Sequence, residues 1–386
     1  MIQDESPIYL TGDEAMKKML PISLMTLMAV CLISCTNREE KNAGHTEDQP
    51  LREFSLSYKS FEGTALLSSA GDYLIHSQLY EDAATGPSTY NFDPMLEEVR
   101  PLFEKADLSY INQESILGGS SLRVSSYPSF NSPYEAGEAL IHAGIDIVNM
   151  ANNHALDRGE KGIVNAIQFY EKKGIVYVGA YKSNRDSLTP RVINRNGIRF
   201  GFLGYTYGTN GIPVPKSKRF LVNLIDYRKM EEEIKEIKKI ADFAIVSVHW
   251  GTEYQRYPNE EQKQLAHFLA DAGADVVIGH HPHVLQPMER IRGENGRETL
   301  VLYSLGNFLS GQEGNYKDIG GIVQIPFTKT ATGTSVSVRV GTPSFTPTIV
   351  THTGKKHYRV HLLKNVNESL ARTTSRHVLS SLKSKK

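Results

Sequence analysis

From about residue 64 to residue 325, short apolar runs alternate with longer stretches in which apolar residues recur at three- and four-residue spacing. Ala65–Ala70 is an apolar run ending at Gly71-Asp72, and Leu108–Ile111 leads into Asn112-Gln113-Glu114. Asp146–Met150 leads into Ala151-Asn152-Asn153-His154, Ala244–Val248 into His249-Trp250-Gly251, and Leu300–Tyr303 into Ser304-Leu305-Gly306-Asn307-Phe308. Val276–Ile278 leads into Gly279-His280-His281-Pro282-His283. Short apolar runs bounded by turn residues predict buried strands. Between them the spacing predicts helices over Asp93–Lys105, Pro133–Ala143, Glu160–Lys173, Asp226–Ile240 and Glu260–Ala272. Pro133 suits a first helical turn, and Gly174 stops the third of these helices. Asn196-Gly197 between two apolar runs predicts a hairpin. Strands alternating with helices predict an α/β fold. After about Ile325 the pattern changes to short β runs rich in Thr and Ser, then to a basic tail, Arg372–Lys386, whose simplest reading is a solvated end.

One regularity changes the picture. Asp72, Glu114, Asn153 with His154, His249, and His281 with His283 all come just after a predicted strand. In open α/β sheets ligands bind outside the carboxyl ends of the strands. Those ends bring residues distant in the chain together, so the pattern predicts a composite metal site. The three imidazoles of His280, His281 and His283 suit a metal, although a polar turn of hydrogen-bonded histidines would read the same way.

Composition narrows the donors and the partners. The two cysteines, Cys31 and Cys35, both lie near the N-terminus, so a metal in the body of the protein is held by His, Asp, Glu and Asn. Imidazoles favour Zn, Fe or Mn over Mg or Ca. Lys plus Arg and Asp plus Glu are both 43, which leaves no global basic field and argues against a nucleic-acid partner.

The first 50 residues lack the alternation. Met16-Lys17-Lys18 opens a second possible start, followed by an apolar stretch from Met19 to Ile33 and then Ser34-Cys35. A positive segment, an apolar run short for a bilayer span and a small residue before Cys predict a secretory signal, with an uncleaved anchor as the alternative. Leu32-Ile33-Ser34-Cys35 resembles the lipobox of bacterial lipoproteins, which implies cleavage before Cys35 and lipidation of its thiol. Residues 1–35 are then an upstream extension and signal peptide, and residues 36–60 a polar, flexible tether. The expected location is the cell envelope, with the protein secreted and held by lipid on a periplasmic or outer surface.

The strand-end motifs, in this order, resemble the CapA family of capsule or poly-γ-glutamate synthesis proteins, a branch of the calcineurin-like metallophosphoesterases. The matching pieces run from Gly71-Asp72 through Asn112-Gln113-Glu114, Ala151–Gly159, His249–Glu253 and Gly279–Gln286 to Ser304–Phe308. The resemblance implies a four-layer α/β/β/α sandwich of metallo-dependent phosphatase type over residues 61–327. Residues 328–386 are then a β-rich extension and basic tail. It implies Asp72, Glu114, Asn153, His249, His281 and His283 as metal ligands, with Glu114 bridging, and His154 as an outer-sphere acid. No Asp-x-His precedes Gly71-Asp72, and Glu114 stands where phosphoesterases carry a bridging aspartate, so one or two ions are expected. Asp157 either orients His154 or caps the following helix. Glu253 is a candidate base or indirect ligand. Trp250 either stacks on substrate or packs in the core or at its rim, and Asn307 either meets substrate or only shapes a turn. His76 reads as a loop residue or a reach into the site.

The implied function is metal-dependent hydrolysis of a phosphoester or an amide, in synthesis, export or trimming of an anionic extracellular polymer, with membrane synthase or export proteins as partners. A non-catalytic polymer-binding or scaffold subunit and an envelope nucleotidase are the alternatives.

Overall fold

A computed structural model describes residues 60–294 and 296–382. The predicted signal, Cys35 and the tether up to residue 59 lie outside the described residues. No helix among the described residues is long and apolar enough to cross a membrane.

The chain builds one sheet, then a second, then returns to the first. β1 (Phe61–Leu74), β2 (Leu108–Gln113), β3 (Ile147–Asn149) and β4 (Val176–Val178) are parallel neighbours. The second sheet has six strands: β5 (Arg191–Arg195), β6 (Ile198–Thr206), β7 (Phe243–His249), β8 (Val276–His280), β9 (Met288–Arg292) and β10 (Glu298–Leu302). They are ordered β9-β10-β8-β7-β6-β5, with β6, β7, β8 and β10 parallel. The chain then returns through β11 (Asn307–Ser310), β12 (Ile319–Thr332), β13 (Ser335–Val340), β14 (Ser344–Thr353) and β15 (Lys356–Leu362). β11 lies parallel to β1, while β12, β14 and β15 extend the sheet in antiparallel order, making nine strands in all.

Packing gives four layers. Leu67, Leu108, Tyr110 and Ile147 of the first sheet share one core with Phe200, Phe202, Phe243, Ile245 and Ile278 of the second. The outer face of the first sheet is covered by helices that include Tyr134–His142 and Gly159–Lys173. That of the second is covered by Tyr227–Ile240 and Glu260–Ala272. The result is the expected α/β/β/α sandwich, in which parallel strands need apolar cover on both faces.

Local chemistry sets the element ends. The Asn196-Gly197 turn takes φ of 54° and 77°, the left-handed pair of a tight hairpin joining β5 to β6. Gly174 ends its helix at φ 73°. The single helix expected over Asp93–Lys105 is instead two, Asp93–Leu96 and Arg100–Glu104. Pro101 lacks the N–H a continuous helix would use, and it sits in the first turn of the second piece. The division at residue 327 does not coincide with an element boundary, because β12 runs through it and later strands pair onto the same sheet. Part of the expected basic tail is helix Glu368–Val378, with Ala371 and Val378 buried in the inter-sheet core.

Candidate metal centre

The carboxyl ends of strands from both sheets converge. Asp72 sits where the pairing of β1 with β2 and β11 shifts register. A Cβ on Gly71 would lie 1.9 Å from Gly306 O, and one on Gly279 would lie 2.0 Å from Tyr303 O. Only glycine lets the Tyr303–Gly306 segment pass this close to the backbones carrying Asp72 and His280. Glu114 follows β2, its N–H donating to Tyr73 O at 3.1 Å. Asn152 braces the next turn: its Nδ2 donates to Gln113 O at 2.9 Å and its Oδ1 accepts the His154 N–H at 3.1 Å. His249 ends β7. His281 and His283 follow β8 with φ of 98° and 57°, a left-handed backbone that non-glycine residues hold only under tertiary constraint.

These turns place six predicted ligands in one cage. Ligand atoms of Glu114, His281 and His283 lie within 4.8 Å of one another, as do those of Asp72, Glu114 and His249. Glu114 belongs to both groups, its Oε1 lying 3.6 Å from His249 Nε2 and 3.6 Å from His283 Nε2. Asn153 Oδ1 is 2.9 Å from His249 Nε2. Both Glu114 oxygens and His281 Nδ1 are buried with no hydrogen-bond partner. An unpartnered buried carboxyl is costly, and cation binding relieves that cost. The unpartnered atoms and the mixed imidazole, carboxylate and amide donors fit a divalent metal ion.

Electrostatics separates the members. Burial pushes Asp72 up, but hydrogen bonds and charge from His280 and His283 outweigh it and hold the carboxyl well below its usual range. Burial opposes charge on His283, yet Glu114 and Asp72 raise it to about 9. Burial, then the charge of His283, lowers His281 to about 3. His249 is depressed by burial and then by His281. Neutral His249 and His281 have lone pairs ready for a metal. Burial pushes Glu114 well above the usual carboxylate range.

His154 stands beside the cage. Its Nδ1 is 2.7 Å from Asp157 Oδ2, which also accepts the Phe130 N–H at 2.7 Å. Of the two readings of Asp157, the structure shows the orienting one, since helix Gly159–Lys173 has Arg158 at its N-cap position with no side-chain cap. Two expected substrate residues are corrected. Trp250 is buried in the outer core, stacked on Tyr303 with Nε1 donating to Tyr303 O at 3.0 Å. It is next to His249, and successive side chains point opposite ways. Asn307 is also fully buried, with Oδ1 3.0 Å from His283 Nδ1 and Nδ2 donating to Lys317 O at 2.8 Å, so it holds His283. Glu253 is exposed and outside both ligand groups, although its charge acts on Glu114 and His283. His76 keeps to its loop, with Nδ1 3.1 Å from Leu74 O and 3.2 Å from Gly311 N.

The sequence reading missed three neighbours. Asn112 donates to Asp72 Oδ1 at 2.8 Å and is itself held by Asn149 at 2.9 Å. His280, already counted among the imidazoles that suit a metal, has Nδ1 3.3 Å from Asp72 Oδ1. The Tyr207 ring lies 4.7 Å from that of His281, and Asn210 Oδ1 accepts from Asn153 Nδ2 at 3.2 Å. Tyr207 follows β6, so the strand-end rule applied to one more strand finds it.

The bacterial capsule synthesis protein PGA_cap family matches residues 66–312. The "PGA biosynthesis protein CapA" of Bacillus subtilis (strain 168) is 34% identical over 215 residues, 54% of this chain and 55% of that protein. The "Capsule biosynthesis protein CapA" of Bacillus anthracis is 36% identical over 182 residues, 46% and 43% of the two chains. The chain thus spans about half the length of the curated relatives it matches. Among solved structures, a hypothetical protein from Thermus thermophilus is 17% identical with TM-score 0.39, covering 72% of this chain and 98% of its own. A putative 5'-nucleotidase from Staphylococcus aureus is 14% identical with TM-score 0.41, covering 81% and 58%. Both likenesses are too loose to bear on the site.

Proposed function

The chain belongs to the bacterial capsule synthesis protein PGA_cap family, and from that premise we propose that it is a metal-dependent hydrolase of the cell envelope acting on an anionic polymer of the poly-γ-glutamate or capsule type. Names of the Bacillus relatives support the polymer, and a lipidated Cys35 would supply the anchor. The observation that carries the reading is Glu114, fully buried, with both oxygens unpartnered between His249 and His283.

Asp72, Glu114, Asn153, His249, His281 and His283 would hold the metal, which when bound would polarise the scissile group and activate water. The chain's own groups do the rest. Asp157 accepts from His154 Nδ1 and fixes the ring, so that when the imidazole carries its second proton, that proton sits on Nε2 and passes from there to the leaving group. Phe130 packs edge-on against His154 at 4.7 Å and limits water around it. Asn307 fixes the His283 ring, and Asn112 fixes Asp72.

The decisive experiment measures metal content together with turnover of aryl phosphate esters and of poly-γ-glutamate, for the parent chain, Glu114→Ala and His281→Ala. Turnover by the parent, lost in both variants, supports the enzyme. Bound metal with no turnover of either substrate class supports a second reading, a polymer-binding or scaffold subunit. Asp72 favours that second reading, because both its oxygens already have protein partners: Oδ1 has Asn112, and Oδ2 has His283 Nδ1 at 3.2 Å. Release of phosphate from nucleotides would instead mark an envelope nucleotidase.

A further inference from the structure

Two loops beside the cage grip each other through two cation–ring contacts. Arg256, in the loop after β7, places Cζ 3.9 Å from the Tyr316 ring centroid. Lys317, in the loop after β11, places Nζ 5.2 Å from the Tyr254 centroid. Each loop therefore supplies one ring and one cation. Both loops are fixed to a predicted ligand. The Tyr254 N–H donates to Pro282 O at 2.7 Å, and its ring lies 6.2 Å from that of His283. Lys317 O accepts from Asn307, the residue that holds His283.

These cations differ from the basic residues of the protein that are paired with acids. Lys182, Lys218, Lys238 and Arg191 each pair with an acid. Among the described residues neither Arg256 nor Lys317 has a carboxylate partner, and Arg256 Nε is buried with no hydrogen-bond partner. An aromatic face attracts a cation but leaves its N–H donors free for an oxygen ligand. Tyr254 and Tyr316 are 46% and 42% exposed and sit at φ of 67° and 65°, a backbone kept only where surroundings enforce it. Of the nearby acids, Glu313 pairs with His352 at 3.0 Å, and the charge of Glu253 falls on Tyr254.

We infer that Arg256 and Lys317 form an anion-binding subsite beside the metal cage, for an oligomer carrying repeated carboxylates. Two separate cations suit two charges on one chain, so that one unit reaches the cage while its neighbours rest on the loops. This rests on the polymer reading above and adds where the chain lies. The subsite is partly exposed, so its attraction is screened by salt.

The test is binding of dye-labelled γ-linked octaglutamate to the full chain, read by fluorescence anisotropy at two salt concentrations. Parent protein, Arg256→Met, Lys317→Met, the double variant and Lys317→Arg are compared, with metal content and thermal midpoint recorded for each. The single methionine variants should weaken binding about fivefold and the double variant more, with a flatter salt dependence. Lys317→Arg should bind like the parent, and metal content should not change. The inference fails if the parent does not bind, if the double variant binds as tightly as the parent, or if neutral γ-linked octaglutamine binds equally well. Tripolyphosphate competing far better than free octaglutamate would overturn the carboxylate class. Should a methionine variant lose cooperative melting, Arg256→Gln against Arg256→Lys and Lys317→Gln against Lys317→Arg give the same comparison. Because no turnover is read, loss of the hydrolase reading and loss of this subsite are separate results.

Discussion

The two ends of the same parallel strands treat acidic residues in opposite ways. At the amino ends an aspartate precedes each of β2, β3, β7 and β8, and each grips the neighbouring strand. Asp107 Oδ2 accepts from Leu66 N at 2.8 Å, Asp146 Oδ2 from Ser109 N at 2.9 Å, Asp242 Oδ2 from Arg199 N at 2.7 Å and Asp275 Oδ2 from Ala244 N at 2.7 Å. Each of these aspartates also donates its own N–H back to the carbonyl of the same partner. At the carboxyl ends Asp72 and Glu114 are fully buried among histidines, and the Glu114 carboxyl has no hydrogen bond at all. The difference teaches that burial of an acid does not identify a site. Unmet bonding capacity does, since a satisfied carboxylate ties strands together while an unsatisfied one has lone pairs left for a ligand.

The contrast can be broken by substitution. Glu114→Gln should weaken metal binding by more than about a hundredfold while leaving the metal-free stability within about 0.5 kcal/mol of the parent. Metal titration by calorimetry with parallel melting checks both, and a large loss of metal-free stability would make Glu114 another clasp. Asp275→Ala should do the reverse. It takes the acceptor from Ala244 N and leaves Lys238 Nζ, 2.7 Å away, with only the Asp242 carbonyl at 3.2 Å, and should cost about 2–3 kcal/mol in denaturant unfolding with metal affinity intact.

Smaller effects sharpen the picture. Asn307→Ala removes one of the two partners of His283 Nδ1, leaving Asp72 Oδ2, and should reduce metal affinity about tenfold, measured by competition with a chelator. His76 supplies a pH dependence outside the ligand set. Burial, then the charges of His283 and His154, lowers it to about 4. The unfolded chain therefore binds more protons between about pH 4 and 6.5, and stability falls as pH drops through that window. His76→Gln should remove on the order of 1 kcal/mol of the stability lost between pH 7 and pH 5, allowing for its partial exposure. Urea unfolding at both pH values, with and without the substitution, measures this; equal losses in the two proteins would remove His76 from the account.

Much of this was legible in the chain. Apolar runs with a polar residue at the end placed Asp72, Glu114, Asn153, His249, His281 and His283, because a strand's end is where its side chains leave the sheet. Asp157 was readable only as one of two roles. The turn's actual path, with Phe130 and His154 both meeting one carboxylate oxygen, decided between them. Trp250 and Asn307 misled for one reason: adjacency to a motif does not say which way a side chain points.

Sequence alone determined the alternation of elements, the donor types and the ends at which they gather, since periodicity and turn chemistry are local. It could not show that Glu114 stands between His249 and His283, that Asn307 turns inward, or that Tyr254 meets Lys317. Tyr254 and Lys317 are 63 residues apart, and Glu114 is 135 and 169 residues from its two histidines. Only the packing of two sheets face to face, with the chain returning to the first, brings such residues within bonding distance.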